Sequence, residues 1–377
     1  MILFVISLFT MLAYAALLAY YRQGWENLRE VDAGDIIADV RISVVIPARN
    51  EEKNLPQLLE ALSSQTYPKE LFQVIVVDDF SEDGTADVVK DFVYRHSGLS
   101  LMVVTPEGDS ASSSKKSAVS IGISVAGGEL VVTTDADCIP GSRWLQTIAA
   151  FYRYRNASFI AGPVQYTYRH RFIEIFQALD FITLQGITAA SVGSGFHDMC
   201  NGANLAYTKK AFEEVNGFSG IDHVASGDDM LLMYKIRKAH PGRVFYLKSR
   251  DAIVSTAPMK TWREFVNQRK RWASKTLVYE DWRIKAVLGF VYLFNCFFLL
   301  LFVLAFFGSF YEKLLLLMLA GKILAELFFL YPVTRFYKGR SLLLYFVFFQ
   351  PVHILYTVSV GFLSQLGKYE WKGRRTR

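Results

Sequence analysis

Hydrophobic and polar positions divide the chain into three stretches of different character. Met1 to Tyr21 contains no charged residue, close to the ~20 apolar residues with which a helix crosses a membrane. No basic region precedes it and no clean small-residue cleavage site comes before Arg22, so it reads as an uncleaved anchor rather than a signal peptide. From Arg22 to about Lys285, short apolar runs alternate with amphipathic helical patterns, as in a water-soluble domain. Beyond it, Ala286 to Tyr311 and Ser341 to Leu366 are uncharged runs long enough to cross with tilt. Between them, apolar Leu314 to Val333 carries Lys322 and Glu326, four apart and so on one helix face, where they can neutralise each other. An ionisable side chain in hydrocarbon costs on the order of 3 kcal/mol. This segment therefore either buries the pair against its neighbours or is not fully inserted.

Within the soluble stretch, Ile42 to Ile46 is a buried-strand run, followed by Glu51 to Ser64, where Leu55, Leu58, Leu59 and Leu62 mark a helical face. Gln73 to Val77 predicts a second strand ending at Asp78-Asp79, and Asp83-Gly84-Thr85 opens a second helix. Leu101 to Val104 is a third strand, Lys115 to Val125 a helix, and Leu130 to Thr134 a fourth strand ending at Asp135-Ala136-Asp137. Strands separated by helices predict an α/β fold, Rossmann-type, with a mostly parallel sheet whose ligands bind beyond the carboxyl ends of the strands. Asn50, Asp79 and Asp137 fall there. No Gly-x-Gly-x-x-Gly follows the first strand and no Gly-Lys-Ser/Thr loop occurs, which argues against hydride transfer and nucleoside-triphosphate hydrolysis.

Composition sharpens this picture. Hydrophobic residues make up 52% of the 377 and mean hydropathy is +0.23, too apolar for an ordinary soluble protein. The net charge of +6 is mild and gives no nucleic-acid-like basic field. It lies largely in Arg263 to Lys285 and in the tail, as expected beside a bilayer. Three scattered cysteines, Cys138, Cys200 and Cys296, suit neither a disulfide framework nor a zinc site and fit a reducing compartment. Arg22, Arg29 and the basic residues before the C-terminal block favour an integral membrane protein whose soluble domain faces the cytoplasm. Three crossings after that domain would place Lys368, Lys372, Arg374, Arg375 and Arg377 outside, against the positive-inside tendency, unless one apolar segment is re-entrant or interfacial.

Three constellations carry chemistry. Asp135-Ala136-Asp137 puts two carboxylates on one side of an extended chain at a strand end, where Mg²⁺ or Mn²⁺ takes one or two such oxygens plus substrate phosphates. Ser226-Gly227-Asp228-Asp229 precedes an apolar helix. Its acids can be first-turn partners of the helix dipole or a general base for an acceptor hydroxyl. Gln268-Arg269-Lys270-Arg271-Trp272 lies just before the membrane block. It reads as a basic interfacial helix with an aromatic anchor and equally as a diphosphate holder with an apolar platform.

In this order, Val-Ile-Pro-Ala-Arg-Asn-Glu (Val45 to Glu51), Val-Val-Asp-Asp-Phe-Ser-Glu-Asp-Gly-Thr (Val76 to Thr85), Lys-Lys-Ser-Ala (Lys115 to Ala118), Asp-Ala-Asp, Gly-Asp-Asp (Gly227 to Asp229) and Gln-x-x-Arg-Trp (Gln268 to Trp272) resemble the membrane-anchored inverting glycosyltransferases of family two. The resemblance implies a GT-A-like catalytic domain that takes a nucleotide sugar, uridine-linked in family expectation, with a divalent metal. It implies that Pro47, Asn50, Glu51 and Asp79 hold the nucleotide, with Lys115 or Lys116 nearby, and that Asp135 and Asp137 bind metal and diphosphate. Asp229 would be the base with Asp228 beside it, and Gln268, Arg271 and Trp272 would shape the acceptor and diphosphate end. Asn201, Gly202 and Asn204, in Asn201 to Tyr207, resemble the acceptor-side segment. Two departures stand out: Asp228-Asp229 replaces the family's frequent Glu-Asp, and Phe80 replaces a flexible glycine in the Asp-Asp-Gly-Ser turn.

The implied layout is an anchor over 1–21, a catalytic domain over 22–260, an interfacial segment over 261–285, two to three crossings in 286–366 and a basic tail over 367–377. Anchoring at both ends, the membrane-proximal Gln-x-x-Arg-Trp and the apolar helical pattern of Ile173 to Ile187 point to a membrane lipid acceptor. The tail Trp371 to Arg375 also resembles that of ceramide glucosyltransferase-like enzymes. Two alternatives stay open, a processive polysaccharide synthase of the same family and a catalytically inactive nucleotide-sugar-binding protein.

Overall fold

The computed structural model describes residues 1–32, 34, 39–96, 98–106, 114–220, 227–277, 279–365, 369–371 and 374–376. Ser226, Leu366, Lys368, Lys372, Gly373 and Arg377, named above, lie outside them. In chain order come α1 (Ile2–Asn27), β1 (Ile42–Ala48), α2 (Leu55–Ser63), β2 (Phe72–Asp78), α3 (Thr85–Arg95), β3 (Ser100–Val104), α4 (Lys115–Ser124), β4 (Leu130–Thr133), β5 (Cys138–Pro140), α5 (Trp144–Arg155), β6 (Phe159–Ala161) and β7 (Val164–Tyr166). Then follow α6 (Phe172–Ser194), β8 (Leu205–Thr208), α7 (Lys209–Glu214), α8 (Asp228–Ala239), β9 (Val244–Tyr246), β10 (Val254–Thr256), α9 (Trp262–Ala273), α10 (Trp282–Ala305), α11 (Ser309–Phe336), α12 (Leu343–Leu363), β11 (Tyr369–Trp371) and β12 (Arg374–Thr376).

These elements form two compact units. One comprises 29–167 and 198–257, the other 1–28, 168–197 and 258–377. In the first, seven strands run in the order β3-β2-β1-β4-β8-β6-β9. β3, β2, β1 and β4 are parallel neighbours, whereas β8 is antiparallel to both β4 and β6. β1, β2 and β4 read as apolar runs because helices cover both faces of a parallel sheet. α4 lies so close to that sheet that a Cβ at Gly122 would meet Val45 Cγ1 at 2.4 Å. The register pairs Ala48 with Asp78, so the loops after β1 and β2 emerge side by side. β5, β10 and β7 make a second, three-stranded sheet. α2 begins at Leu55, the first of the leucines that mark its face, and not at Glu51, because Glu51 and Asn54 first close a turn, the Asn54 N–H donating to the Glu51 carbonyl at 3.0 Å.

The second unit is helical. α6, expected within the 22–260 domain, groups instead with the terminal helices. α1, α6, α10, α11 and the stretch 340–363 are long and apolar enough to cross a membrane. α10 ends at Ala305 and α11 begins at Ser309, since the chain turns at Gly308 within the run expected to continue to Tyr311. Lys322 is fully buried, and its ammonium donates to Glu326 Oε1 and Gln350 Oε1, both at 2.6 Å. Glu326 further accepts from the Tyr14 hydroxyl at 2.5 Å and from Gln350 Nε2 at 2.7 Å. Burial against neighbours is thus how this segment accommodates its charges, with Lys322 and Glu326 hydrogen-bonded to each other, to Gln350 and, for Glu326, to Tyr14.

Candidate active site

The cleft lies in the sheet unit, at the carboxyl ends of β1 and β4, and is lined by Pro47, Lys115, Thr134, Gly202, Asp228 and Asp229 among others. α4 is capped by Ser114, whose hydroxyl accepts from the Ser117 N–H, and this sets Lys115 at the first helical position. Lys115 Nζ donates to Asp135 Oδ1 at 2.5 Å. Burial works against its charge, but attraction to Asp135 and then Asp228, the Asp135 hydrogen bond and Asp229 outweigh it and raise its pKa. The side chain therefore stays an ammonium through the neutral range. Of the two candidate lysines, Lys115 lines the cleft, and Lys116 is buried.

Gly227 at φ 94° turns the chain into α8 and places Asp228 and Asp229 in its first turn. The Asp229 carboxylate is held from two sides, Oδ2 accepting from the Gly202 N–H and Oδ1 from the Met230 N–H, both at 2.9 Å. A side chain at Gly202 would begin 3.3 Å from the Lys115 ammonium and 3.4 Å from Asp229 Oδ2, so it would crowd both charged groups. A carboxylate has about four lone-pair sites, and two remain to receive a proton.

Asp135 and Asp137, just past β4, bring ligand oxygens within 4.8 Å of each other and of Cys138 Sγ. Cys138 is buried and its Sγ donates to Asp137 Oδ1 at 3.6 Å, and the two carboxylates are the donors that a hard cation prefers. That set fits a hard divalent cation, completed by phosphate and water.

The β1 and β2 loops are laced together. Arg49 Nη1 donates to the Asp79 carbonyl at 2.8 Å and the Asp79 N–H to the Ala48 carbonyl at 2.7 Å. Asn50, at φ 53°, donates its N–H to Ser81 Oγ and accepts from the Glu82 N–H. The Glu51 N–H meets Thr85 Oγ1 at 2.8 Å, and its carboxylate accepts from Asn54 Nδ2 at 2.7 Å. Phe80 holds φ 54°, keeping the left-handed turn that a glycine gives without a side chain. Asn50 and Glu51 thus shape the loop, and Asp79 is buried at its base.

Asn201 and Asn204 differ from Gly202. Asn201 Oδ1 accepts from the Ala203 N–H within the same turn. Asn204, 1% exposed, donates to the Pro163 and Ala252 carbonyls and accepts from Trp144 Nε1. Its amide ties three segments together inside the unit and does not reach the cleft.

Gln268, Arg271 and Trp272 lie on α9 of the helical unit, which a Thr261–Glu264 capping box starts. Gln268 and Arg271 are half-buried. Sequence reasoning missed Arg269, which is 3% exposed. Its guanidinium pairs with Asp180 of α6 at 2.7 Å and stacks on Trp272 at 4.1 Å. The available signal was helical spacing: Phe265, Arg269 and Trp272 share the face that the apolar residues mark.

Comparison with known proteins matches this architecture. The family model for "Glycosyltransferase like family 2" covers residues 40–275. Glycosyltransferase AglE of Haloferax volcanii is 28% identical over 189 residues, 50% of this chain and 59% of that protein. A dolichyl-phosphate beta-glucosyltransferase of Trichomonas vaginalis is 35% identical over 129 residues, 32% of this chain and 38% of that protein. The chain thus spans well under two thirds of the length of these curated relatives. Among solved structures, the mannosyltransferase PcManGT of Pyrobaculum calidifontis, in complex with GDP-Man and Mn²⁺, superposes with a TM-score of 0.60 at 20% identity, covering 97% of this chain and 99% of that one. Its likeness shows the fold, an α/β domain of GT-A type with apolar helices. With the family model covering well over half of its length, the chain belongs to the family 2 glycosyltransferases.

Proposed function

We propose that the protein moves one sugar from a nucleoside-diphosphate donor, uridine-linked in the first instance, to a hydroxyl of a membrane lipid, with inversion at the anomeric carbon. The observation that carries this reading is the charge of the cleft. Among the described residues that line it or adjoin it, Asp135, Asp137, Asp228 and Asp229 stand against the Lys115 ammonium, and so many carboxylates would repel a diphosphate unless a divalent cation entered with it. Such a cation, held by Asp135 and Asp137, would supply electrostatic stabilisation of the leaving diphosphate. Lys115 adds a fixed positive charge at the same end. Asp229, oriented by the Gly202 and Met230 N–H groups, accepts the acceptor's proton as its oxygen attacks the anomeric carbon. The family resemblance assigns Gln268, Arg271 and Trp272 to the acceptor and diphosphate end, and Asp79 with Pro47 to the nucleotide end.

The lipid acceptor is supported by the long apolar helices and by a relative whose name specifies dolichyl phosphate. We infer a cytoplasmic catalytic unit from the basic residues Arg22 and Arg29 that follow the first apolar run in sequence. Transfer of a single sugar, rather than polymer synthesis, is the reading we carry to the test. The test is to offer detergent-solubilised protein a panel of nucleotide sugars with a native lipid extract. NMR of the glycolipid formed should show the anomeric configuration opposite to the donor's. Retained configuration contradicts the direct displacement, and absence of transfer from every donor supports a binding protein instead.

A further inference from the structure

α1, α10 and α11 run alongside one another, and their contacts fix common levels. The Tyr14 ring stacks on Phe294 at 4.3 Å and its hydroxyl reaches Glu326, so these three residues lie at one depth. Toward one end, Tyr21 faces Phe329 and Trp25 faces Phe336. At that end too, Tyr21 bonds His197, and Arg283, at the start of α10, donates to the Gly195 carbonyl. Toward the other end, Gly321 meets Met11. α10 therefore leaves the end where α9 precedes it and α11 returns there.

α12 does not follow this axis. Gln350 sits at the Tyr14 level through Lys322 and Glu326, and Gly361 lies against the Tyr292 ring. Between Gln350 and Gly361 a helix rises about 16 Å, whereas Tyr292 and Phe294 are only about 3 Å apart along α10. α12 thus crosses the bundle instead of running along it. After α12, β11 packs against α9, which comes before α10 in the chain. Had α12 crossed as α10 and α11 do, the tail would lie on the far side from α9. The exposed side chains agree. Leu344, Phe348, Leu355 and Phe362 are 58–75% exposed and, at about 100° per residue, fall within about 40° on the helical wheel. The opposite face carries Phe349 and Tyr356, which meet Phe176 of α6, and Tyr356 also meets Phe265 of α9.

We propose that α12, despite its length, is an interfacial helix that lies in one leaflet, apolar stripe toward lipid and opposite face on α6 and α9. The chain then crosses twice after α9, and its tail returns to the α9 side. This rests on the membrane reading of α1, α10 and α11 and not on the catalytic assignments. It also reconciles the basic tail with the positive-inside tendency, which three crossings violate. The shelf of α6, α9 and α12 includes the Gln-x-x-Arg-Trp motif on α9.

Single cysteines test it in the full chain, with Cys138, Cys200 and Cys296 replaced by alanine, in sealed vesicles treated with a membrane-impermeant maleimide. Tyr94→Cys reports the sheet unit, Phe307→Cys the α10–α11 turn, and Thr376→Cys the tail. The expected result is labelling of Thr376→Cys from the same side as Tyr94→Cys, with Phe307→Cys labelled from the opposite side. Labelling of Thr376→Cys together with Phe307→Cys overturns the interfacial assignment. Labelling of all three from one side overturns the crossing of α10 and α11 itself. If the cysteine-free chain fails to fold, an epitope tag after Arg377, probed by protease from each side of vesicles of the unsubstituted protein, gives the same decision.

Discussion

Lys115 with Asp135 in the sheet unit and Lys322 with Glu326 in the helical unit are ion pairs of nearly equal length, 2.5 and 2.6 Å. Their surroundings differ. Lys322 is fully buried, its partner is met by Tyr14 and Gln350, and one positive charge balances one negative. Lys115 keeps 28% of its side-chain surface exposed and faces Asp228 and Asp229 besides Asp135. A closed, balanced network holds helices together. An open site with surplus carboxylates is poised to take in a cation and an anionic ligand. The contrast teaches that exposure and charge balance, rather than the pair itself, separate a packing device from a reactive site.

The sharpest way to break this comparison is Asp229→Asn, which removes the proton acceptor but keeps the shape. Turnover should fall about 100- to 10,000-fold, with nucleotide-sugar binding by calorimetry nearly unchanged. Unaltered turnover would assign the base elsewhere. On the helical side, Lys322→Met leaves Glu326 buried without its partner and should cost about 3–5 kcal/mol, seen as a lower unfolding midpoint in detergent. Lys322→Met with Glu326→Leu should recover most of that loss, because a closed network can be replaced by packing where an open site cannot. Asp137→Ala should weaken Mn²⁺-dependent nucleotide binding about 10- to 100-fold, while binding without metal changes little. Titration of nucleotide with and without Mn²⁺ reads both.

The last effect concerns pH. Burial holds the His197 imidazole at about 4, Asp281 raising it and Arg283 lowering it. In the unfolded chain a histidine titrates near 6.5, so only that state takes up a proton between the two values. The stability is therefore complete above pH ~6.5 and is lost as pH falls toward 4, by about 3 kcal/mol. His197→Gln should flatten the unfolding midpoint across this window relative to the unsubstituted protein.

The parallel strands and their acidic ends were legible because strands covered on both faces are continuous apolar runs, and Asp78-Asp79 and Asp135-Ala136-Asp137 interrupt them abruptly. Lys322 and Glu326 were legible as a pair from their spacing alone. What escaped the sequence depends on partners distant along the chain. Asn204 stands in a motif beside Gly202, yet Trp144, Pro163 and Ala252 claim its amide. Arg269 occupies a variable position between Gln268 and Arg271, and only Asp180, on another helix, reveals it. α12 has the length and apolarity of a spanning helix, and its course appears only through Tyr292, Lys322 and α9.

The central claim is one sugar moved onto a lipid, and mass spectrometry of the reaction tests it most directly. Purified protein, a nucleotide sugar, Mn²⁺ and a native lipid extract should yield a lipid heavier by a single hexose or N-acetylhexosamine, in a reaction that Asp229→Asn abolishes. A ladder of sugar polymer, or no heavier lipid with any donor, would contradict it.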